Sequence, residues 1–334
     1  MLAANIDPSR SDAGAPLTRA DKPFAQWRRY VLDNDSDADA IARELRALHF
    51  TSAGHSHELI GFEATRNEPT VLISPGSGGH AYVFAELAHL LHLRGFNVFV
   101  MPRHGGLTID ELVSRHRDAI DALVARYRGH VGVFGEGLGG FAAFYLALAG
   151  APIDSVACQN APAILDEPAF QAAVLGDEAQ GRMRRRLLPV MKALAKHAPQ
   201  LPVPIRAYLD FRRMVDMRGA AHAVESRLVE QYLGDRDFDR RYPLRAVLSL
   251  LTTSLPRPLA SMTVPTMFIV ARRGFAPEYV RALFERLPQN RKELVDVDGG
   301  VFFMVSHARE EARILGRWFD QTLRGDARRG DDAR

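Results

Sequence analysis

With 334 residues, 47% of them hydrophobic and 25% charged, the chain can bury one large core or two smaller ones, which excludes disorder of the whole. Its 43 basic residues nearly balance 40 acidic ones, and a net +3 spread over this length is weak ground for a nucleic-acid partner. A single cysteine, Cys158, excludes a disulfide scaffold.

Residues 1–23 are rich in Ser, Asp, Pro and Ala and read as a flexible leader without a secretory signal. No apolar run approaches the roughly 20 residues of a membrane span, so stable membrane insertion is not expected and a cytoplasmic protein is. Two short strands, Leu48–Gly54 and Glu58–Ala64, precede a third, Pro69–Gly76, that is apolar enough for burial on both faces. Phe84, Leu87, Ala88 and Leu91 then recur at helical spacing up to a stop at Gly95. After a fourth strand, Phe96–Pro102, Thr108 caps a helix with Glu111 three residues on. Ile109, Leu112, Val113, Ile120, Leu123 and Tyr127 line its apolar stripe. A fifth strand, His130–Phe134, runs through the turn Gly135–Gly140 into a helix that is apolar all round and should be buried. Ser155–Asn160 is the sixth strand. Residues 165–258 hold no convincing strand but several Arg-rich helical stretches, punctuated by Pro189, Pro202 and Pro204. The run Arg182–Arg186 reads as a solvated helix face, its sharper alternative being a guide for acidic substrates or membrane headgroups. Alternation returns with strand Val264–Ala271, a helix around Pro277–Leu287, strand Lys292–Val297 and a final helix, Glu310–Leu323. The expected fold class is therefore α/β, with a mostly parallel central sheet covered by helices on both faces. The expected core comprises 24–164 and 259–325, with a helical cap, 165–258, inserted after the sixth strand and a flexible tail at 326–334.

The turn after the fifth strand admits two readings. Gly135, Gly137 and Gly140 spell the dinucleotide fingerprint, which would imply an NAD(P)- or FAD-binding oxidoreductase. The context disagrees: two β-α units precede the turn, and the following strand ends in Cys158-Gln159-Asn160 without the acid that holds the ribose. Alternatively, Gly135-Glu136-Gly137-Leu138-Gly139 fits the G-x-S-x-G nucleophile elbow at every position but the central serine. Further landmarks follow in order: Pro75–Gly79 is similar to an oxyanion loop, Pro102–Gly105 to the turn after the fourth strand, and Asp298–Phe302 to a histidine-bearing turn. Over roughly residues 45–325 the chain resembles the α/β-hydrolase fold, and its cap resembles those of lysophospholipase-like and serine-aminopeptidase-like members.

That resemblance implies a Ser-Asp-His triad, and here its three positions read as vacant: Gly137 for the nucleophile, Gly274 near the acid and Val301 for the histidine. The backbone amides of Ser77 and Leu138, with Gly76 beside them, are the expected oxyanion donors. His80 and Glu136 are the candidate substitute acid–base groups, although His80 can equally begin a helix and Glu136 can lie under the turn in a buried hydrogen bond. A dry Glu136 would have a raised pKa. Asn160 and Arg272 stand at strand ends where ligands of open sheets bind. His104 reads as structural and His307 as a surface residue. His55 and His57 alternate without a third ligand, and neither a metal nor a cofactor is indicated.

The expected function is a non-hydrolytic ligand-binding protein or pseudoenzyme with the retained oxyanion pocket, its partner a small acyl- or carbonyl-containing molecule. Lyase- or isomerase-type chemistry in that pocket, hydrolysis by displaced catalytic residues and the nucleotide-dependent reading are the alternatives.

Overall fold

The computed structural model describes residues 18–19, 27–33, 35–160, 162–175, 178–204, 220–274, 276–288 and 291–325. The expected tail and all of the expected leader except Thr18–Arg19 lie outside them. Among the described residues eleven strands follow in chain order: β1 (Thr18–Arg19), β2 (Arg46–Ser52), β3 (His55–Phe62), β4 (Thr70–Ser74), β5 (Asn97–Val100), β6 (Val131–Glu136), β7 (Ser155–Gln159), β8 (Pro202–Pro204), β9 (Arg241–Pro243), β10 (Thr266–Ala271) and β11 (Lys292–Val297). Nine of these form one sheet in the order β1-β2-β3-β5-β4-β6-β7-β10-β11. From β5 to β11 every pairing is parallel, whereas β3 is antiparallel to both β2 and β5. The β2–β3 hairpin closes through Ala53 and Gly54, both at positive φ, as a two-residue loop requires.

Strands β4, β5, β6, β7 and β10 are buried along their whole length, as parallel strands covered on both faces must be. Side chains of β6 alternate between two helical layers. A Cβ on Gly132 would strike Phe319 of the helix Ala308–Leu323 on one face, while one on Gly135 would strike Gly139 of the helix Leu138–Leu148 on the other. All eleven residues of Leu138–Leu148 are buried, as its uniform apolarity predicts. The helix Ile109–Arg126 starts with the expected capping box of Thr108 and Glu111.

Between β7 and β10 run the helices Pro168–Leu175, Glu178–His197, Ala220–Gly234 and Leu244–Thr252. The expectation of no strand in this region is corrected: β8 and β9 pair antiparallel. Each has only three residues and is flanked or interrupted by proline, too short for alternation to show in the sequence. In the expected leader, Thr18–Arg19 forms β1 against β2. The inserted helices sit over the carboxyl ends of the central strands: Gly106 abuts Pro243, and the Ile109 N–H donates to Ser249 Oγ at 3.1 Å.

Candidate functional site

At the end of β6 the chain turns into the helix Leu138–Leu148 through Gly137, at φ 52° and ψ −117°. That combination lies outside the regions open to ordinary residues, so it marks a sharp and specified turn. The turn needs two more glycines. A Cβ on Gly135 would stand 2.2 Å from the Gly139 carbonyl oxygen, and one on Gly139 would stand 2.1 Å from that of Ser74. At Gly137 itself a Cβ would meet nothing nearer than Gly76 Cα at 3.5 Å. The close contacts thus single out Gly135 and Gly139, the spacing of the elbow rather than that of the dinucleotide fingerprint.

Facing this turn is the loop after β4. Its Gly76 N–H donates to the Glu136 carboxyl, Gly78 N–H to Tyr242 Oη at 2.7 Å and Gly79 N–H to the Gly76 carbonyl at 3.0 Å. Among the described residues, Ser77 N–H has no backbone acceptor, and Leu138 N–H belongs to the first turn of its helix, where no intrahelical acceptor exists. Ser77 and Gly137 are half-buried while Gly76, Gly78, Gly79 and Leu138 around them are buried. Two free amides therefore flank a spot that solvent reaches.

No protein-family model matches the chain, and no curated protein matches it. Solved structures do. The chain is similar to a monoacylglycerol lipase of Paleococcus ferrophilus (20% identity, 75% of this chain and 95% of that one, TM-score 0.56). It is also similar to a soluble variant of the Saccharomyces cerevisiae monoglyceride lipase in complex with a substrate analog (13%, 83% and 96%, 0.60) and to a thermophilic esterase from Thermogutta terrifontis (17%, 83% and 99%, 0.58). The chain has the α/β-hydrolase fold. Its parallel strands do not run in the order of the dinucleotide fold, and Gly137 follows the third of them in chain order, not the first.

In that fold Gly137 stands at the elbow, and the structure brings Gly274 and Val301 together around Asn160. The Asn160 Oδ1 lies 2.4 Å from where a Cβ on Gly274 would stand, and its Nδ2 donates to the Val301 carbonyl at 3.2 Å. Asn160 also donates to Glu136 and is held at φ 61°. One amide side chain thus touches two of the positions read as vacant, 274 and 301, and Glu136 beside the third. Arg272 stands exposed at the end of β10, outside this cluster.

Glu136 points, as its parity on β6 dictates, away from the helix Leu138–Leu148 and toward Glu311 of the last helix. Burial pushes each carboxyl up to about 8, and each of the two lies near enough for the charge on one to disfavour that on the other. Gln159 Nε2 donates to Glu311 at 3.5 Å. Sequence reasoning missed Glu311, although it falls in phase with the apolar stripe of Ala308, Ala312 and Leu315, which was a usable signal.

His80 is buried at the start of the short helix Ala81–Phe84, and its Nε2 lies 3.2 Å from Asp235 Oδ2. The same oxygen accepts from Tyr30 Oη at 2.7 Å and pairs with Arg29 Nη2 at 2.5 Å. These contacts, with the Asp237 N–H on Oδ1, hold the Asp235 carboxyl far below the usual carboxylate range despite its burial. Three separate segments meet there: residues 29–30, the loop after β4 and the inserted region. Beside them Phe238 covers Gly78, and Tyr232 Oη donates to the Ser77 carbonyl at 3.0 Å. Tyr232 packs edge-on against Phe238 and Phe302. No motif in the sequence announced Asp235, because its partners lie 155 and 205 residues away.

Three further histidines, His104, His116 and His307, lie outside this contact. His104 Nε2 lies 2.5 Å from the Pro75 carbonyl, and burial pushes its pKa down to about 3. His116, which the sequence did not single out, takes the Ser74 hydroxyl on Nε2 at 2.6 Å and faces the Leu112 carbonyl with Nδ1, at a pKa of about 4. The expectation of a surface His307 is corrected: it is half-buried, stacked 4.8 Å from Phe303, because the chain folds back through the turn Phe303–Ser306. Among the described residues no group of three or more His, Cys, Asp or Glu side chains is placed to hold a metal.

Proposed function

We propose that this chain is a non-hydrolytic protein on the α/β-hydrolase fold, binding a small carbonyl- or carboxylate-bearing molecule at the amides of Ser77 and Leu138. The observation that carries the reading is Gly137: it keeps the elbow geometry, with the two amides beside it, and offers no side chain to attack a substrate. The hydroxyl–imidazole pairs Ser74–His116 and Ser306–His307, the latter between chain neighbours at 2.9 Å, do not replace it. Ser74 is wholly buried and its partner His116 turns to a carbonyl, not a carboxylate. The Cys158 thiol is buried under the helix Leu138–Leu148, with its pKa raised by desolvation. Without a triad, an oxyanion hole and binding alone leave about 10³–10⁴-fold catalysis over water, far below a working hydrolase. A second reading rests on Glu136. A carboxyl kept protonated near neutrality at Gly76 supports proton transfer to a bound carbonyl, a lyase- or isomerase-type step.

The test has two arms. Incubated with a fluorophosphonate probe, the intact protein is expected to form no covalent adduct by mass spectrometry, and with p-nitrophenyl butyrate to show no burst. Calorimetric titration with sodium butyrate is expected to show saturable binding. An adduct or burst overturns the non-hydrolytic reading; no binding overturns the anion pocket.

A further inference from the structure

The helix Glu178–His197 carries a charge unlike that of the rest of the chain. It holds Arg182, Arg184, Arg185, Arg186, Lys192 and Lys196 against the single acid Glu178, an excess larger than the +3 of the whole protein. The remainder of the molecule is therefore net acidic. Two of the chain's four lysines are in these twenty residues.

The second half of the same helix shows large aliphatic side chains to water. Val190 is 60% exposed and Leu194 43%, and Leu201, just beyond the helix, is 43% exposed. Among the described residues only two other large hydrophobics are comparably exposed, Leu93 and Val124, and they lie elsewhere in the chain. Projected at 100° per residue, Lys192, Lys196 and His197 fall on one side of the helix and Val190 and Leu194 adjoin them. Leu188, Met191, Ala195 and Ala198 are half-buried and form the side that rests on the protein. An apolar stripe thus lies next to a basic one over residues 188–197, whose opposite side rests on the molecule. Among the described residues no helix is long and apolar enough to cross a bilayer.

We propose that the helix Glu178–His197 docks the protein onto an anionic lipid bilayer through its second half, with Val190, Leu194 and Leu201 entering the interface and Lys192 and Lys196 meeting the headgroups. Charge complementarity selects the occupant. A purely apolar partner leaves the basic excess unanswered, and a second copy of the same helix sets like charges against each other. Apolar burial and headgroup attraction act together here, each too weak to hold the protein alone.

Cosedimentation of the full chain with vesicles tests this at 50 mM and 500 mM NaCl. Expected are binding to 70:30 phosphatidylcholine:phosphatidylserine at low salt, release at high salt and little binding to pure phosphatidylcholine. K192Q/K196Q is expected to weaken partitioning about thirtyfold, at about fivefold per lysine. V190D/L194D is expected to lose binding with its arginines and lysines intact. All four positions are exposed, and unchanged far-ultraviolet circular dichroism checks that the variants are folded. Failure to sediment with the anionic vesicles at low salt overturns the proposal. So does undiminished binding by V190D/L194D, which would mean adsorption by charge alone. Concentration-dependent dimerisation that V190D/L194D abolishes, without vesicle binding, would assign the stripe to a second copy instead.

Discussion

Glu136 and Glu311 make the stability of this fold depend on pH in a direction that can be worked out. Burial lifts Glu136 from its ordinary 4.5 to about 8, so between those values the folded protein keeps a proton that the unfolded chain has released. Its contribution is fully present below pH 4.5 and is lost as pH rises through about 8. Each such proton tilts the unfolding free energy downward by about 1.4 kcal/mol per pH unit, which from pH 5 to 7.5 is about 3 kcal/mol. The buried histidines work the other way. His104 and His116, with pKa values pushed down to about 3 and 4, make the protein gain stability as pH rises toward the ordinary value of 6.5. The wild-type profile mixes the two, so the informative quantity is a difference. Glu136→Gln keeps the shape and the ability to accept from Asn160 and Gly76 but cannot ionise. Urea unfolding of both proteins from pH 5 to 8.5 is expected to show the variant gaining on the wild type by about 3 kcal/mol up to pH 7.5, then levelling. The same substitution in a Glu311→Gln background is expected to give a smaller gain, because the two charges oppose each other. A gap that stays constant with pH would refute the burial of a protonated Glu136 under the elbow.

Other substitutions probe the same region by different physics. Asp235→Asn removes the charge that Arg29 and His80 face and is expected to lower stability at pH 7 by about 3 kcal/mol, read by urea unfolding. Because that carboxyl is held below its ordinary range, its contribution is lost as pH falls, and the gap to the wild type should narrow below about pH 4. Gly139→Ala drives a Cβ into the Ser74 carbonyl and is expected to cost about 1–3 kcal/mol or more, whereas Gly137→Ala makes only an ordinary contact with Gly76 Cα and suffers its positive φ, about 1–2 kcal/mol. Thermal denaturation that ranks Gly137→Ala as the more damaging would contradict the turn geometry.

Much of the scaffold is legible along the chain, and the reason is local. The runs that become β4, β5, β6, β7 and β10 are apolar throughout because parallel strands bury both faces, and Thr108 and Glu111 announce a helix start from four residues. The elbow is legible too, since Gly135, Gly137 and Gly139 fall within five residues, although the contact that requires Gly139 comes from Ser74 on β4. What stays hidden is whatever depends on distant pairs. Asp235 draws its partners from residues 29, 30 and 80, and Glu311 reaches Gln159 across 152 residues. The strands β8 and β9 are too short for a periodicity of two to be seen, and β9 begins to matter only when Tyr242 meets Gly78.

On the reading proposed above, those distant pairs bear on how far the elbow stands from a catalytic arrangement. Were the difference from a serine hydrolase only one of side chains, replacing them would restore the site. The contacts around Asn160 argue against that. Any residue with a Cβ at position 274 would collide with Asn160 Oδ1, so an acid there requires Asn160 to move. Moving it breaks the bond to the Val301 carbonyl, which holds the segment where a histidine would stand, and removes a donor from buried Glu136. An unpaired buried carboxyl costs more than a paired one, so the loss falls on the strand end that shapes the turn. Asn160 thus occupies space that a side chain at position 274 would need, and it spends its amide on the Val301 carbonyl. On the reading proposed above, the vacated positions have been repacked into a new polar network, and a nucleophile restored at Gly137 alone would meet neither a base nor room for one.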